Sequence, residues 1–460
     1  MSISLDTRKL TESEITLCET DLIIEEEIGY KNKKTDFFIR PKQTIGAYRK
    51  EGPDVLVPFH WGATHFGNDR RPSRQDCDAM STVFKGTLRP EQLAFQNETL
   101  AVMNKHGSCL LAVYPGGGKT ITSLSIASRV GLKTFILVNK LVLIKQWLET
   151  IQNVFGEKTK VQVLYTKSKI DPTCNFYIMN AINVCKKSFQ EYANLRIGLV
   201  IVDECHLMMT KMFSQSLTYF CPRYVLGLSA TPFRPDGYDV FLDLYFGKEK
   251  VVRKLFRPHQ VLLLESGFVI KSESDNKGSL IWNSVIESQT DNEERNRMIA
   301  DMCIRYHHRN ILILSKRVKQ IDTIHDMLIA SGQHATSIRE GDGKFDKDAR
   351  IVIATFQKVG TGFSHDKLDM LILATDAEEY FLQYLGRVFR RPDVNPIVID
   401  IVDKHPVLKK HFKSRKKVYE EAGGKIQKYD PKVLNITPPD EEDVMAKKPV
   451  KRLLKTTAKK

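Results

Sequence analysis

Two short segments place chemistry-bearing side chains beside runs of buried-strand character. The first is YPGGGKT (114–120), after the apolar run SCLLAVY (108–114) and before KTITSLSIASRV (119–130), whose spacing predicts a helix. Gly116, Gly117 and Gly118, following Pro115, let backbone N–H groups fold around phosphate oxygens. The next helix aims its N-terminal dipole at the same phosphates. Lys119 then reaches the β- and γ-phosphates of a nucleotide, and the Thr120 hydroxyl offers Mg2+ a ligand. The full phosphate-loop pattern wants a further glycine where Val113 stands. The strand–loop–helix setting compensates, and favours this reading over a glycine turn that merely precedes a lysine.

The second segment is VIVDECH (200–206), at the end of another apolar run. Asp203 is expected at the strand's C-terminal end, where ligands bind in open α/β sheets. Its carboxylate would hold Mg2+ directly or through water, and Glu204 beside it would polarise an attacking water. An Asp-Glu pair is common on surfaces. This one gains specificity by ending a hydrophobic strand downstream of a phosphate-loop lysine. His206 is either a coupling residue or a bystander.

The elements that must hold these residues are legible as short continuous apolar runs. TFILVN (134–139), NFYIMN (175–180), IGLVIVD (197–203) and YVLGLSA (224–230) join SCLLAVY as strands buried on both faces, with helical stretches between them. The pattern then repeats with NILILS (310–315), ARIVIATF (349–356), LDMLILAT (368–375) and NPIVIDIVD (395–403). Strand–helix alternation implies βαβ units, so the expected fold class is α/β, with two tandem domains built on parallel sheets. The expected division is a small N-terminal accessory domain at 1–85, a nucleotide-binding domain at 86–255, a second α/β domain at 256–430 and a basic, mobile tail at 431–460. Within it, PFHWGATHFGNDRRPSRQD (58–76) reads as loops, and 251–290 as a less regular link.

Composition supports an ordinary globular chain. It has 460 residues, 42% hydrophobic and 27% charged, which excludes a fibre, a coiled-coil rod and a disordered chain. No apolar run approaches the roughly 18–20 residues of a spanning helix, and the N-terminus lacks the apolar core of a secretory signal. Eight scattered cysteines form no CxxC pair, which points to reduced thiols and an intracellular setting rather than a metal site. The net charge of +15 is uneven. Residues 404–460 hold 17 Lys and Arg against 7 Asp and Glu, a net of +10 that leaves +5 for the rest. A basic end on a near-neutral body suggests a polyanion partner, most simply nucleic acid, with a solubilising tail as the plainer alternative.

Taken in order, GGGKT (116–120), DECH (203–206), SAT (229–231) and QYLGRVFR (383–390) resemble the motifs of superfamily 2 helicases of the DExH type. The resemblance covers roughly 86–400. It implies two RecA-like domains with ATP between them and Mg2+ as its companion. LRPEQ (88–92) looks like the family's adenine-reading motif, with Gln92 on the adenine edge and Arg89 nearby. VNKLVLIKQW (138–147) and ILILSKRVKQI (311–321) look like strand-contacting motifs. SATPFR (229–234) resembles the segment in which Ser229 and Thr231 couple the DECH residues to nucleic acid. ATFQKVGTGFS (354–364) resembles a motif touching both nucleic acid and nucleotide, through Gly362 among others. Ser364 departs from the Asp usual there, and Asp366 follows two residues later. Arg387 and Arg390 lie three apart, so one helix face can present both. By resemblance they are the arginine fingers, with Gln383 opening their motif. Spacing looks closest to the xeroderma pigmentosum group B type and to the transcript-release helicases of poxviruses and other large cytoplasmic DNA viruses.

The resemblance therefore implies a nucleic-acid-dependent ATPase that unwinds duplexes, with DNA favoured, RNA possible and a lean towards 3′ to 5′ movement. It also implies an intracellular monomer, away from membranes, that works with transcription machinery. A duplex-DNA translocase that separates no strands shares the same motifs. A non-catalytic binding protein is opposed by the intact Lys119, Asp203, Glu204, Arg387 and Arg390. A small-molecule kinase is opposed by the second domain and its arginines.

Overall fold

Valine, leucine and isoleucine fill the strand interiors, and they set the architecture. Leu199, Val200, Ile201 and Val202 are each 0% exposed, so this one strand is buried on both faces. Each such side chain contributes about 1.5–3 kcal/mol on leaving water. The computed structural model describes residues 1–27, 30–31, 38–39, 42–230, 239–338, 345–360, 365–377, 381–391 and 393–429.

Two seven-stranded sheets with helices between their strands confirm the tandem RecA-like α/β architecture. In the first, the spatial order is Val161–Leu164, Phe176–Asn180, Thr134–Val138, Leu199–Val202, Tyr224–Ser229, Ser108–Val113 and Lys250–Arg253. Every pairing in it is parallel. In the second, the order is Ala335–Ile338, Ile351–Thr355, Ile311–Ser315, Met370–Leu373, Ile397–Lys404, His259–Val269 and Gly424–Lys428, again all parallel. Parallel order brings all C-terminal strand ends of a sheet to one edge, the edge on which open α/β sheets bind ligands.

All nine apolar runs named from the sequence contain strands of these sheets. The helix expected at 119–130 spans Lys119–Val130. Five further strands were not anticipated. Four of them are short, four or five residues each, and hold exposed or half-exposed positions. The fifth, His259–Val269, lies in the segment expected to be an irregular link. Its half beyond Glu265 alternates in exposure and contains Gly267, which breaks the apolar signature.

Residues 58–76 are also more ordered than expected. Phe59–Phe66 is a helix with Phe59, Trp61, Gly62 and Ala63 buried, ended by Gly67 at φ +98°. Short 3-10 turns follow at Asn68–Arg70 and Arg74–Asp76. Burial of an aromatic face outweighs the turn-forming composition. A three-stranded sheet of Ser2–Asp6, Asp54–Pro58 and Arg49–Glu51 packs in one apolar cluster with Leu110, Phe135 and Val200 of the first large sheet. The tail from 430 onward lies outside the described residues.

Candidate active site between the two sheets

The strand Ser108–Val113 delivers the chain to the sheet edge, and the glycines turn it. Gly117 N donates to Tyr114 O at 3.0 Å, closing a tight turn. Gly116 and Gly118 take φ of +82° and +90°, a region that side chains resist. A Cβ on Gly118 would meet Gln92 Nε2 at 2.0 Å, and one on Gly117 would meet Val113 Cγ1 at 2.4 Å. Only glycine fits this cradle. Lys119 begins the helix and its Nζ donates to Val113 O at 3.1 Å, folded back over the loop. Gln92 is buried, and its amide links Arg89 N (2.8 Å) to Gly117 O (3.3 Å). Arg89 Nη2 donates to the same carbonyl at 3.2 Å. Both residues thus brace the phosphate loop.

The strand Leu199–Val202 sets Asp203 beside this loop. Asp203 is buried, accepting from Trp147 Nε1 at 2.9 Å and from Glu204 N at 3.0 Å. Burial raises its pKa, and the Glu204 carboxylate adds to that rise, while Trp147 and Lys119 oppose it. Glu204 itself sits at φ 48°, ψ 47°, a left-handed conformation that costs a non-glycine residue about 1–3 kcal/mol. Its Oε2 is buried, has no hydrogen bond among the described residues and lies 3.5 Å from His206 Nδ1. His206 Nδ1 also meets Ser229 Oγ at 2.9 Å. The fold therefore joins the DECH segment to the end of strand Tyr224–Ser229. Thr231, the third coupling candidate, lies outside the described residues, as does Gly362.

The second sheet brings in Phe381–Val388, the helix carrying Gln383 and Arg387. Arg387 is half-buried. Burial and the neighbouring Arg390 lower its pKa to about 10, and the charge of Glu204 pulls the other way. A carboxylate of the first domain thus lies near enough to a guanidinium of the second to favour its charge. Arg390 Nη1 pairs with Asp366 Oδ1 at 2.7 Å, so the displaced aspartate noted in the sequence engages the second arginine. Gln383 is buried on the same helix.

Sequence reasoning missed two supports. Trp147 was read only as the end of a strand-contacting motif, yet it holds Asp203. Arg257, in the crossing between the sheets, donates to the carbonyls of Phe389, Arg391 and Val394, pinning the segment that bears Arg390. A lone arginine in RKLFRPHQ gave no signal of this.

The residues fit ATP with Mg2+. The loop offers a phosphate cradle, Lys119 and Arg387 offer charge, and Glu204 Oε2 is a buried acceptor without a partner among the described residues. Among the described residues no cluster of three or more His, Cys, Asp or Glu side chains gathers. Thr120 and Asp203 would supply one hydroxyl and one carboxylate, the sparse oxygen set that suits Mg2+ carried on phosphates.

The expected strand-contacting motifs lie at the same sheet edges. Lys140 follows strand Thr134–Val138 and is exposed. Lys316 follows Ile311–Ser315 and lies over the Trp282 ring at 5.2 Å. Part of the basic C-terminal charge is structural instead. Arg415, buried, bridges Asp376 (2.6 Å) and Asp400 (2.8 Å). No helix among the described residues is long and apolar enough to cross a membrane.

Comparison with known proteins agrees with this geometry. Residues 85–234 match the family described as "Type III restriction enzyme, res subunit". "Putative helicase 161L" of Invertebrate iridescent virus 6 is 37% identical over 402 residues, covering 82% of this chain and 90% of that protein. "Putative helicase 055L" of Frog virus 3 is 33% identical over 384 residues, covering 82% and 87%. A solved structure of S. cerevisiae Dbp5 bound to RNA and ADP BeF3 shares the fold at a TM-score of 0.52, with 13% identity, covering 75% of this chain and 94% of that one. A phosphate cradle and carboxylate pair on one sheet, faced by arginines from a second, and relatives matched over most of their length make this chain a member of the superfamily 2 helicases.

Proposed function

We infer that the chain uses the cleft between its two sheets to hydrolyse ATP and to drive movement along a nucleic acid, separating strands as it goes. The observation that carries this reading is the contact of the arginine helix with the phosphate loop, where Gly386 of the second domain meets Pro115 and Gly116 of the first backbone to backbone. Such a site is complete only when the domains close. The residues DECH (203–206) support a place in the DExH branch.

Lys119 and the loop N–H groups bind and orient the triphosphate. Thr120 and Asp203 would hold Mg2+, which shields phosphate charge. Glu204, whose Oε2 has no hydrogen bond among the described residues, takes a proton from the attacking water. Arg387 and Arg390 stabilise charge spreading over the transferred phosphoryl oxygens, a contribution of about 10³–10⁵ in rate in related systems. Departure of the phosphate after hydrolysis takes that charge out of the cleft and loosens the grip of the second domain on the first. His206 and Ser229 pass this change to the sheet edge, where Lys140 and Lys316 face the track. DNA is the favoured track, on the resemblance of motif spacing, and a role beside transcription machinery belongs to the same proposal.

The test is ATP hydrolysis by the purified chain, alone and with single-stranded DNA, duplex DNA or RNA, beside Lys119→Ala. Stimulation by one polymer, absent in the variant, supports the reading and names the track. Activity retained in Lys119→Ala overturns the site. A strand-displacement assay then separates unwinding from translocation on intact duplex.

A further inference from the structure

At the far end of the phosphate-loop helix lies a cavity that the ATP mechanism does not use. Its volume is about 360 Å³, and Arg74, Arg129, Tyr224, Asn97 and Asn104 line it with three apolar neighbours. Lys119–Val130 is a 12-residue helix, so at 1.5 Å per residue the cavity stands about 17 Å from Lys119. Tyr224 opens the strand whose last residue, Ser229, faces the ATP edge. The cavity therefore lies at the opposite edge of the sheet.

Its charge is unusual for this surface. Arg71 and Arg223 stand behind the lining, with guanidinium carbons 5.9 and 5.5 Å from the centre of the Tyr224 ring. None of the four arginines meets a carboxylate among the described residues. Arg74 donates to Val130 O, Arg71 to Asn68 O and Arg223 to Pro72 O, all neutral carbonyls. Basic residues nearby are paired: Lys133 and Arg196 with Asp78, Lys105 and His106 with Glu249, Arg253 with Glu98. Arg129 is exposed and has no polar partner there. Pinning a loop accounts for Arg71, Arg74 and Arg223, and the Tyr224 ring packs on the core beside two of them, but neither accounts for Arg129 or the two amides.

We propose that this cavity is a second nucleic-acid site, which holds a phosphate and its attached nucleotide apart from the ATP cleft. Guanidinium forks match phosphate oxygens in geometry and charge. A half-buried tyrosine gives a base a stacking surface, and asparagine amides can meet its polar edge. The volume lies in the range of small-ligand pockets. An acidic protein segment would use the arginines but leave the amides and the exposed part of the ring without a task, so nucleic acid is favoured. The site lets the motor keep one arm of its track while the sheet edge near ATP releases and regrips. This rests on the nucleic-acid reading above.

The experiment measures binding of labelled single-stranded DNA, duplex DNA and single-stranded RNA to the full chain between about 50 and 200 mM salt. The variants are Arg129→Glu, Arg129→Lys, Tyr224→Leu and, as a charge-matched control at another exposed site, Lys9→Glu. Arg129→Glu should weaken binding of the favoured polymer about tenfold at low salt and reduce the slope of log affinity against log salt by about 1. Arg129→Lys should restore most of it. Tyr224→Leu should weaken single strands more than duplex. ATPase without nucleic acid should stay unchanged in Arg129→Glu. Affinity and slope equal to those of the control overturn the site while leaving the motor intact. Loss of binding to polyglutamate, with nucleic acid unaffected, overturns it in favour of a protein partner. No binding of any polymer by the unaltered chain sinks this proposal and the function together.

Discussion

Gly386 packs its α-carbon against the backbone of Pro115: a Cβ built there would meet Pro115 O at 2.6 Å. Gly386 lies in the arginine-bearing helix of the second domain and Pro115 in the phosphate loop of the first. From the other side, a Cβ on Gly116 would meet Gly386 O at 3.3 Å. Backbone meets backbone at this point, with no flexible side chain to give way. The distance from the loop to Arg387 is therefore set by the absence of one methyl group.

Gly386→Ala is the direct consequence to examine. Overpacking against fixed backbone costs about 1–3 kcal/mol. Taken from the closed cleft, that is about a tenfold to hundredfold loss in kcat. The fold should survive, since the helix accepts alanine. Steady-state ATPase with a parallel thermal melt decides it. Full activity would show that the cleft does not close on this contact.

Exchanging His206 for alanine should separate hydrolysis from work. His206 meets Ser229 Oγ at 2.9 Å and lies 3.5 Å from Glu204 Oε2. It touches the catalytic carboxylate on one side and the route to the sheet edge on the other. His206→Ala and Ser229→Ala should each lower strand displacement at least tenfold more than ATPase. Equal losses in the two assays would make His206 a part of the hydrolytic site rather than a coupler.

Arg257 should matter for the arginines it never touches. It satisfies three carbonyls after the arginine helix, and burial lowers its own pKa. Removing a charged donor from part-buried carbonyls costs about 2–4 kcal/mol. Arg257→Ala should thus lower Tm and reduce kcat while ATP affinity changes little, because Lys119 and the loop remain. Arg257→Lys, with one ammonium for three carbonyls, should fall between. A Tm loss with kcat intact would leave Arg257 as a structural cap alone.

How much of this was legible in the sequence follows from where each interaction is encoded. Lys119, Asp203 and Glu204 are readable because strand, turn and side chain are contiguous, so local pattern and function coincide. The buried strands are readable because both faces are apolar. Strand Gly424–Lys428 is not, since an edge strand with exposed lysines looks like any polar stretch. Trp147 to Asp203 spans 56 residues, and Arg257 to Val394 spans 137. Such contacts exist only once the sheets are assembled. Gln92 shows a subtler limit. Its motif announces a nucleotide reader, but only the fold reveals that its amide braces Gly117.

Acid should destabilise the second domain through His259. His259 Nδ1 donates to Arg257 O at 2.8 Å, and its ring packs on Phe389 at 4.7 Å between centroids. Its Nε2 is buried and has no partner among the described residues, so a proton added there finds no acceptor. Burial accordingly lowers the His259 pKa below its ordinary value of about 6.5. The unfolded chain then binds the proton more tightly than the folded one. Stability is at its full value above pH of about 6.5 and declines as pH falls through it, levelling only below the depressed pKa. His60, also lowered by burial and by His106, adds in the same direction. Tm measured from pH 8 to 5 should be flat at first and then fall, and His259→Gln should shallow the fall by removing one titrating group. A Tm that rises on acidification, or a slope untouched by His259→Gln, would remove this histidine from the acid response.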